Sequence, residues 1–140
     1  MELRALVENI SQPEIRLDLQ IEPDLPALTC SRINLQGAIM NLLTNARDAM
    51  PGGGTISLAA RPITKSGHTV AVEIEVMDEG VGMSQDTLQR AFEPFFTTRA
   101  TGLGGFGLPV VKRFVEDIGG HVTVKSRLGT GTRVILCLPI

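Results

Sequence analysis

The sequence predicts a single domain of the α/β (α+β) class, and three observations carry that prediction. Apolar residues alternate with their neighbours over 15–21, 69–78, 121–127 and 131–138, the period of a strand. Two other stretches, 32–50 and 108–118, repeat their apolar residues at helical spacing. The 140 residues, 43% of them hydrophobic, fit one domain that buries a real core without disulfide or metal staples.

In chain order, Leu3, Leu6, Val7 and Ile10 predict a short helix over 2–10. Ile15, Leu17, Leu19 and Ile21 predict a strand that Pro23 and Pro26 end, with a short extended piece around 27–29. Ser31 is a good N-cap for a helix over 32–50, whose apolar stripe is Leu35, Ile39, Leu42, Leu43, Ala46 and Ala49. Pro51-Gly52-Gly53-Gly54 stops it. Residues 55–61 and 69–78 read as a hairpin with Lys65-Ser66-Gly67-His68 at its tip. Ser84 caps a short helix to about Ala91. Beyond the glycine-rich segment 102–107 a helix carries Leu108, Val111, Phe114, Val115 and Ile118 inward, with Pro109 in the tolerant first turn and Gly119-Gly120 at the end. In the last strand Val134, Leu136 and Leu138 face one way and Ile135 and Cys137 the other, so an interior strand is expected.

Composition narrows the function. The net charge of −2 provides no general attraction to nucleic acid or anionic lipid. No apolar run is long enough to span a membrane, and no signal-peptide pattern is visible. Cys30 and Cys137 lie far apart and, with the two histidines, form no zinc pattern; buried free thiols of a cytosolic domain are expected. Trp and Tyr are absent, which weakens an aromatic platform for bases.

Three segments carry chemistry. Asp78-Glu79-Gly80-Val81-Gly82-Met83 follows the 69–78 strand; its carboxylate is an acceptor suited to a ligand amine, and two glycines let the backbone turn and approach a ligand closely. An acidic turn would use the same residues. Four of the six positions 102–107 are glycine and run into a helix N-terminus, an arrangement suited to phosphate, although no Gly-Lys-Ser/Thr or dinucleotide fingerprint is present. A plain surface loop is the alternative. Asn41, Asn45 and Asp48 align on the 32–50 helix roughly 140° from its apolar stripe. A solvated face is the default there, yet asparagine is a mediocre helix former, and the Asn45 amide oxygen is a hard ligand of the kind Mg²⁺ takes beside nucleotide phosphates. Together they suggest a Mg-nucleotide site.

Asn41-Leu42-Leu43-Thr44-Asn45-Ala46-Arg47-Asp48-Ala49-Met50 resembles the N box of sensor histidine kinases. Asp78-Glu79-Gly80-Val81-Gly82-Met83 resembles their first glycine box, Phe92-Glu93-Pro94-Phe95-Phe96-Thr97-Thr98 their F box, and Gly105-Phe106-Gly107-Leu108 their second glycine box. Gly129-Thr130-Gly131-Thr132 is similar to their closing glycine-threonine motif. Order and spacing match over nearly the whole chain, with the nitrogen-sensor-like group closest in flavour. The resemblance implies the Bergerat-type ATP-binding fold shared with gyrase, Hsp90 and MutL: a two-layer sandwich of a mixed, mostly antiparallel sheet and three helices on one face. It implies that Asp78 holds the adenine amine, that Asn45 holds Mg²⁺, and that 97–104 form a flexible lid over ATP. Gly80, Gly82, Met83, Asp48, Phe92, Thr98, Gly102, Gly104, Gly105, Phe106, Gly107, Leu108 and Thr132 complete the implied ATP site. The implied activity is transfer of the ATP γ-phosphate to a histidine on a dimerisation domain, in a cytoplasmic two-component phosphorelay that reaches a response regulator indirectly. The parent protein is soluble or membrane-anchored.

The sequence departs from that pattern at three positions. Gly104 stands where a Thr is common, Phe106 where a Leu is common, and Asp48 where many relatives carry Lys, leaving Arg99 and Arg47 as candidate sources of phosphate-neutralising charge. In the hydrolysing relatives a Glu precedes the metal-binding Asn by one turn. Here that position is Asn41, which takes no proton at neutral pH, whereas a neutral imidazole acceptor needs positioning and charge neutralisation rather than a base. Asn41 and Arg99 are therefore the candidate catalytic residues. His68 and His121 lie in no helical phosphoacceptor motif, so the histidine-bearing domain is expected to lie outside this chain, which alone would not autophosphorylate. The alternatives are a docking scaffold with a degenerate nucleotide site, an anti-sigma-factor-like serine kinase, which the Phe92–Thr98 box opposes, and a gyrase-type ATPase, which Asn41 opposes.

Overall fold

The computed structural model describes residues 14–23, 25–91 and 107–140. The predicted helix over 2–10 lies outside the described residues. So do Phe92, Thr98, Arg99, Gly102, Gly104, Gly105 and Phe106 of the expected site, and with them the expected lid.

Among the described residues the elements run β1 (Ile15–Ile21), α1 (Arg32–Asp48), β2 (Gly54–Lys65), β3 (His68–Asp78), α2 (Gln85–Arg90), α3 (Gly107–Asp117), β4 (His121–Arg127) and β5 (Gly131–Pro139). The five strands form one sheet in the order β1-β2-β3-β5-β4. β1 pairs with β2 in parallel, because α1 carries the chain back between them; the other pairings are antiparallel. This is the mixed, mostly antiparallel sheet with helices that the resemblance implies. β5 lies between β3 and β4, in keeping with its two apolar faces.

Local signals set the element ends. The Ser31 side chain accepts a hydrogen bond from the Asn34 N–H at 3.3 Å, and Ser84 Oγ accepts one from the Thr87 N–H at 3.2 Å, so both predicted caps are formed. α1 ends two residues earlier than expected, with Ala49 as its C-cap. The hairpin strands are longer than the sequence suggested. β2 continues to Lys65 and pairs with His68 across Ser66 and Gly67, whose φ values of 53° and 79° belong to a two-residue I′-type turn.

The core lies between the sheet and the helices. Leu35, Ile39, Leu42, Leu43 and Ala46 of α1, together with Val111 and Val115 of α3, pack on a face made by Ile56, Leu58, Val72, Ile74, Val76, Val134, Leu136 and Leu138. Leu43 is fully buried, so Leu43→Ala is expected to cost about 3 kcal/mol, read from urea denaturation at 25 °C. β1 behaves differently from its alternating pattern. It is the edge strand, and only Ile15 and Leu17 reach the core, while Leu19 and Ile21 are 40% and 38% exposed.

The opposite face of the sheet is polar for a definite reason. Glu75, buried on β3, accepts a hydrogen bond from Arg133 Nη2 at 3.0 Å, and Arg133 Nε stands 2.9 Å from its other oxygen as an ion pair without hydrogen-bond geometry. Arg61 reaches Glu75 at 3.3 Å and Glu73 at 3.1 Å. One hydrogen bond from each of two guanidinium groups satisfies a carboxylate that could not otherwise be withdrawn from water. Cys30 and Cys137 are free thiols but only half-buried, less so than the expected buried thiols. His68 and His121 are exposed.

Candidate nucleotide site

The site is assembled from the C-terminal half of α1, the end of β3 and the loop after it, α2, the start of α3, and β5. Strand geometry brings Asp78 to the end of β3, directly opposite Thr132 of β5. The backbone then turns back on itself: the Gly80 N–H donates to Asp78 Oδ1 at 2.8 Å. Glu79 points the other way and accepts from the Thr55 N–H at 2.9 Å, which pins the loop to the start of β2.

Two glycines in this loop are needed for reasons the sequence did not disclose. A Cβ on Gly80 would run into the Ala49 carbonyl at the end of α1, and a Cβ on Gly82, whose φ is +69°, would run into the Arg127 carbonyl at the end of β4. Both glycines therefore let the loop pack closely on the protein's own backbone, and Gly82 also lines the cavity described next. Flanking hydrogen bonds hold the same geometry. The Val81 N–H donates to the Ala49 carbonyl at 3.0 Å, and the Gly129 N–H donates to the Val81 carbonyl at 2.8 Å.

The result is a cavity of about 290 Å³. Leu42, Ala46, Val76, Met83, Leu108 and Val134 make it largely apolar, and Asn45, Asp48, Asp78 and Thr132 place polar groups on its wall. A slot with few polar groups on apolar walls suits a flat heterocycle with one polar edge. Burial pushes the Asp78 carboxyl above the ordinary carboxylate range, against the opposing pull of the Gly80 and Thr132 N–H groups. Burial is the larger effect, and a carboxylate acceptor on an apolar wall suits a ligand amine.

Asn45, Asp48, Asp78, Gly82, Met83, Leu108 and Thr132 of the expected site therefore converge on one cavity. Asn41 and Gly80 do not line it. Asn41 sits one helical turn before Asn45, where its carbonyl accepts from Thr44 Oγ1 at 3.1 Å, and Gly80 acts through its hydrogen bond to Asp78. Gly107 is the first residue of α3, next to the wall residue Leu108. Arg47, one of the candidate phosphate-neutralising residues, has its Nε 3.4 Å from Asp48 Oδ1, a mutual pairing that offsets both charges at the cavity rim. The sequence reading missed Thr87 and Ala91 of the α2 region, which face the cavity from the far side. Their only signal was the Ser84 cap that starts their helix.

Comparison with known proteins bears on this geometry. The profile described as histidine kinase-, DNA gyrase B-, and HSP90-like ATPase matches residues 30–140. Sporulation kinase E of Bacillus subtilis (strain 168) is 36% identical over 132 residues, which are 94% of this chain and 17% of the relative. The chain therefore spans about one sixth of that protein's length. Among solved structures, the mycobacterial sensor histidine kinase MprB superimposes with a TM-score of 0.80 at 25% identity, covering 98% of this chain and 90% of that one. Full-length ShkA in complex with AMPPNP gives a TM-score of 0.80 at 28% identity, covering 98% of this chain and 29% of that one.

Proposed function

The chain belongs to the histidine kinase-, DNA gyrase B- and HSP90-like ATPase family, as an ATP-binding domain of the sensor-kinase type, and from that premise we propose that it transfers the γ-phosphate of ATP to a histidine on a dimerisation domain. The observation that carries this reading is the half-buried Asp78 carboxylate, held by the Gly80 N–H on the wall of an apolar cavity. An adenine ring fits that description: its flat faces suit Val76, Met83 and Val134, and its exocyclic amine suits Asp78. The similar ShkA structure is a complex with AMPPNP, which supports a nucleotide as the ligand.

The α1 side of the cavity serves the phosphates. The Asn45 amide oxygen and the Asp48 carboxylate are hard donors, a set compatible with Mg²⁺, which takes one or two protein oxygens and completes its shell with water and phosphate. Bound there, Mg²⁺ would neutralise charge on the phosphates. Asn45 would hold it, and the α3 N-terminus after Gly107 would offer backbone N–H groups to the anion. Asn45→Ala is expected to leave Mg-free ADP affinity unchanged and to remove the gain in affinity that Mg²⁺ brings, about tenfold, in paired titrations with Mg²⁺ and with EDTA.

No general base is required of this domain. The lone pair of a neutral imidazole attacks without losing a proton first, so the domain's task is to hold the phosphate in line and keep water out. Asn41 suits a kinase better than an ATPase for that reason. The test is transfer of labelled phosphate from γ-labelled ATP to a separately supplied histidine-bearing dimerisation domain of a sensor kinase. Label on the histidine supports the proposal. Release of inorganic phosphate without label on the protein would favour the ATPase reading instead.

A further inference from the structure

Ser126, on β4, lies behind the cavity wall rather than in it, yet three contacts converge on its hydroxyl. The Met83 N–H donates to Ser126 Oγ at 2.7 Å. Ser126 Oγ lies 2.8 Å from Thr132 Oγ1 and donates to the Gly131 carbonyl at 3.1 Å. A serine hydroxyl has one proton and two acceptor positions, and this one is used to capacity. Met83 and Thr132 both line the cavity, and the Thr132 N–H is one of the two that hold Asp78.

We propose that Ser126 is a positioning residue for the adenine pocket, tying the Met83 side of the slot to the strand that holds Asp78. This rests on the nucleotide reading given above. The tie spans the gap between two separately folded segments. The Met83 N–H is anchored through this hydroxyl, between Gly82, which carries a positive φ, and Ser84, which turns to cap α2. The hydroxyl pair also sets what Thr132 offers the cavity. When the Ser126 proton goes to the Gly131 carbonyl, Thr132 donates to Ser126 and turns lone pairs toward a ligand. When the Ser126 proton goes to Thr132, the Thr132 proton is released for a ring nitrogen. An adenine edge presents both an amine and a ring nitrogen, so either arrangement has a partner.

Ser126→Ala leaves the Met83 N–H without its acceptor and is expected to weaken Mg-ADP binding to the chain about tenfold in calorimetry. Adenine-over-guanine discrimination, read as the ADP/GDP affinity ratio, is expected to fall with it, and amide exchange at Met83 to speed up. Ser126→Thr keeps the hydroxyl and is expected to restore all three. Ser126→Cys keeps the volume with a weak acceptor and is expected to behave like alanine, which maintains the test if the alanine variant folds poorly. Unchanged ADP affinity and ratio in Ser126→Ala or Ser126→Cys, beside a wild type that binds, would overturn the role of Ser126 and leave the site standing. A wild type that binds no ADP would overturn the site reading itself.

Discussion

Replacing Asp78 with asparagine is expected to weaken Mg-ADP binding about 100-fold while the domain keeps or gains thermal stability. The first half follows from hydrogen-bond chemistry. A carboxylate accepts on both oxygens, whereas an asparagine amide turns a donor toward either the ligand amine or a backbone N–H, and a buried donor facing a donor loses a charge-assisted bond. The second half follows from the direction of the Asp78 pKa, which burial raises. A carboxyl whose folded pKa is raised contributes stability that is present below its unfolded value near 3.8 and is lost as pH rises through the folded value. Above the folded value the ionised wild-type side chain is therefore a net cost that asparagine avoids. The gap in melting temperature between Asp78→Asn and wild type is expected to widen as pH rises through that window. Calorimetric titration and scanning fluorimetry over a pH series check the two halves separately. A variant that melts much lower at pH 7 would show that Asp78 serves the fold rather than a ligand.

Gly82→Ala is expected to be the most damaging single methyl addition in the site loop, at about 3 kcal/mol or more by urea denaturation. Two costs act together. The residue holds φ at +69°, which a Cβ disfavours, and the added carbon would enter the space of the Arg127 carbonyl. Relief requires moving the 79–83 loop away from the end of β4, which breaks the Gly129-to-Val81 hydrogen bond and the Met83-to-Ser126 one. Gly67→Ala provides the contrast. Gly67 also has a positive φ, +79°, but a Cβ there meets nothing, so only the conformational cost of about 1 kcal/mol remains. Equal effects at the two positions would mean that the packing against β4 is dispensable.

Much of the fold was legible because local pattern and tertiary role agree. The β3 alternation of Val72, Ile74 and Val76 with Glu73 and Glu75 corresponds to a core face and a face of Arg–Glu pairs. The alternation of β1 gave the strand at its observed bounds but not its place at a sheet edge, where Leu19 and Ile21 stay exposed, because strand order is a long-range property no local pattern reports. The site was legible in part. Asn45 stood out as a mediocre helix former in mid-helix and Asp78 as an acceptor followed by two closely spaced glycines, and both line the cavity. The asparagine stripe had suggested a shared face, but helix rotation turns Asn45 and Asp48 to the cavity and leaves Asn41 off its wall. Ser126 carried no signal. It is one polar residue in an alternating strand, and its partners Met83 and Thr132 meet it only once the sheet has formed.

The central claim is that this chain holds an adenine nucleotide between α1 and β3. Isothermal titration of Mg-ADP into the wild-type chain tests it most directly. One saturable site at micromolar to submillimolar concentration, competed by adenosine but not by guanosine, is the expected result. No heat of binding at millimolar Mg-ADP, from a chain that melts cooperatively, would contradict the claim.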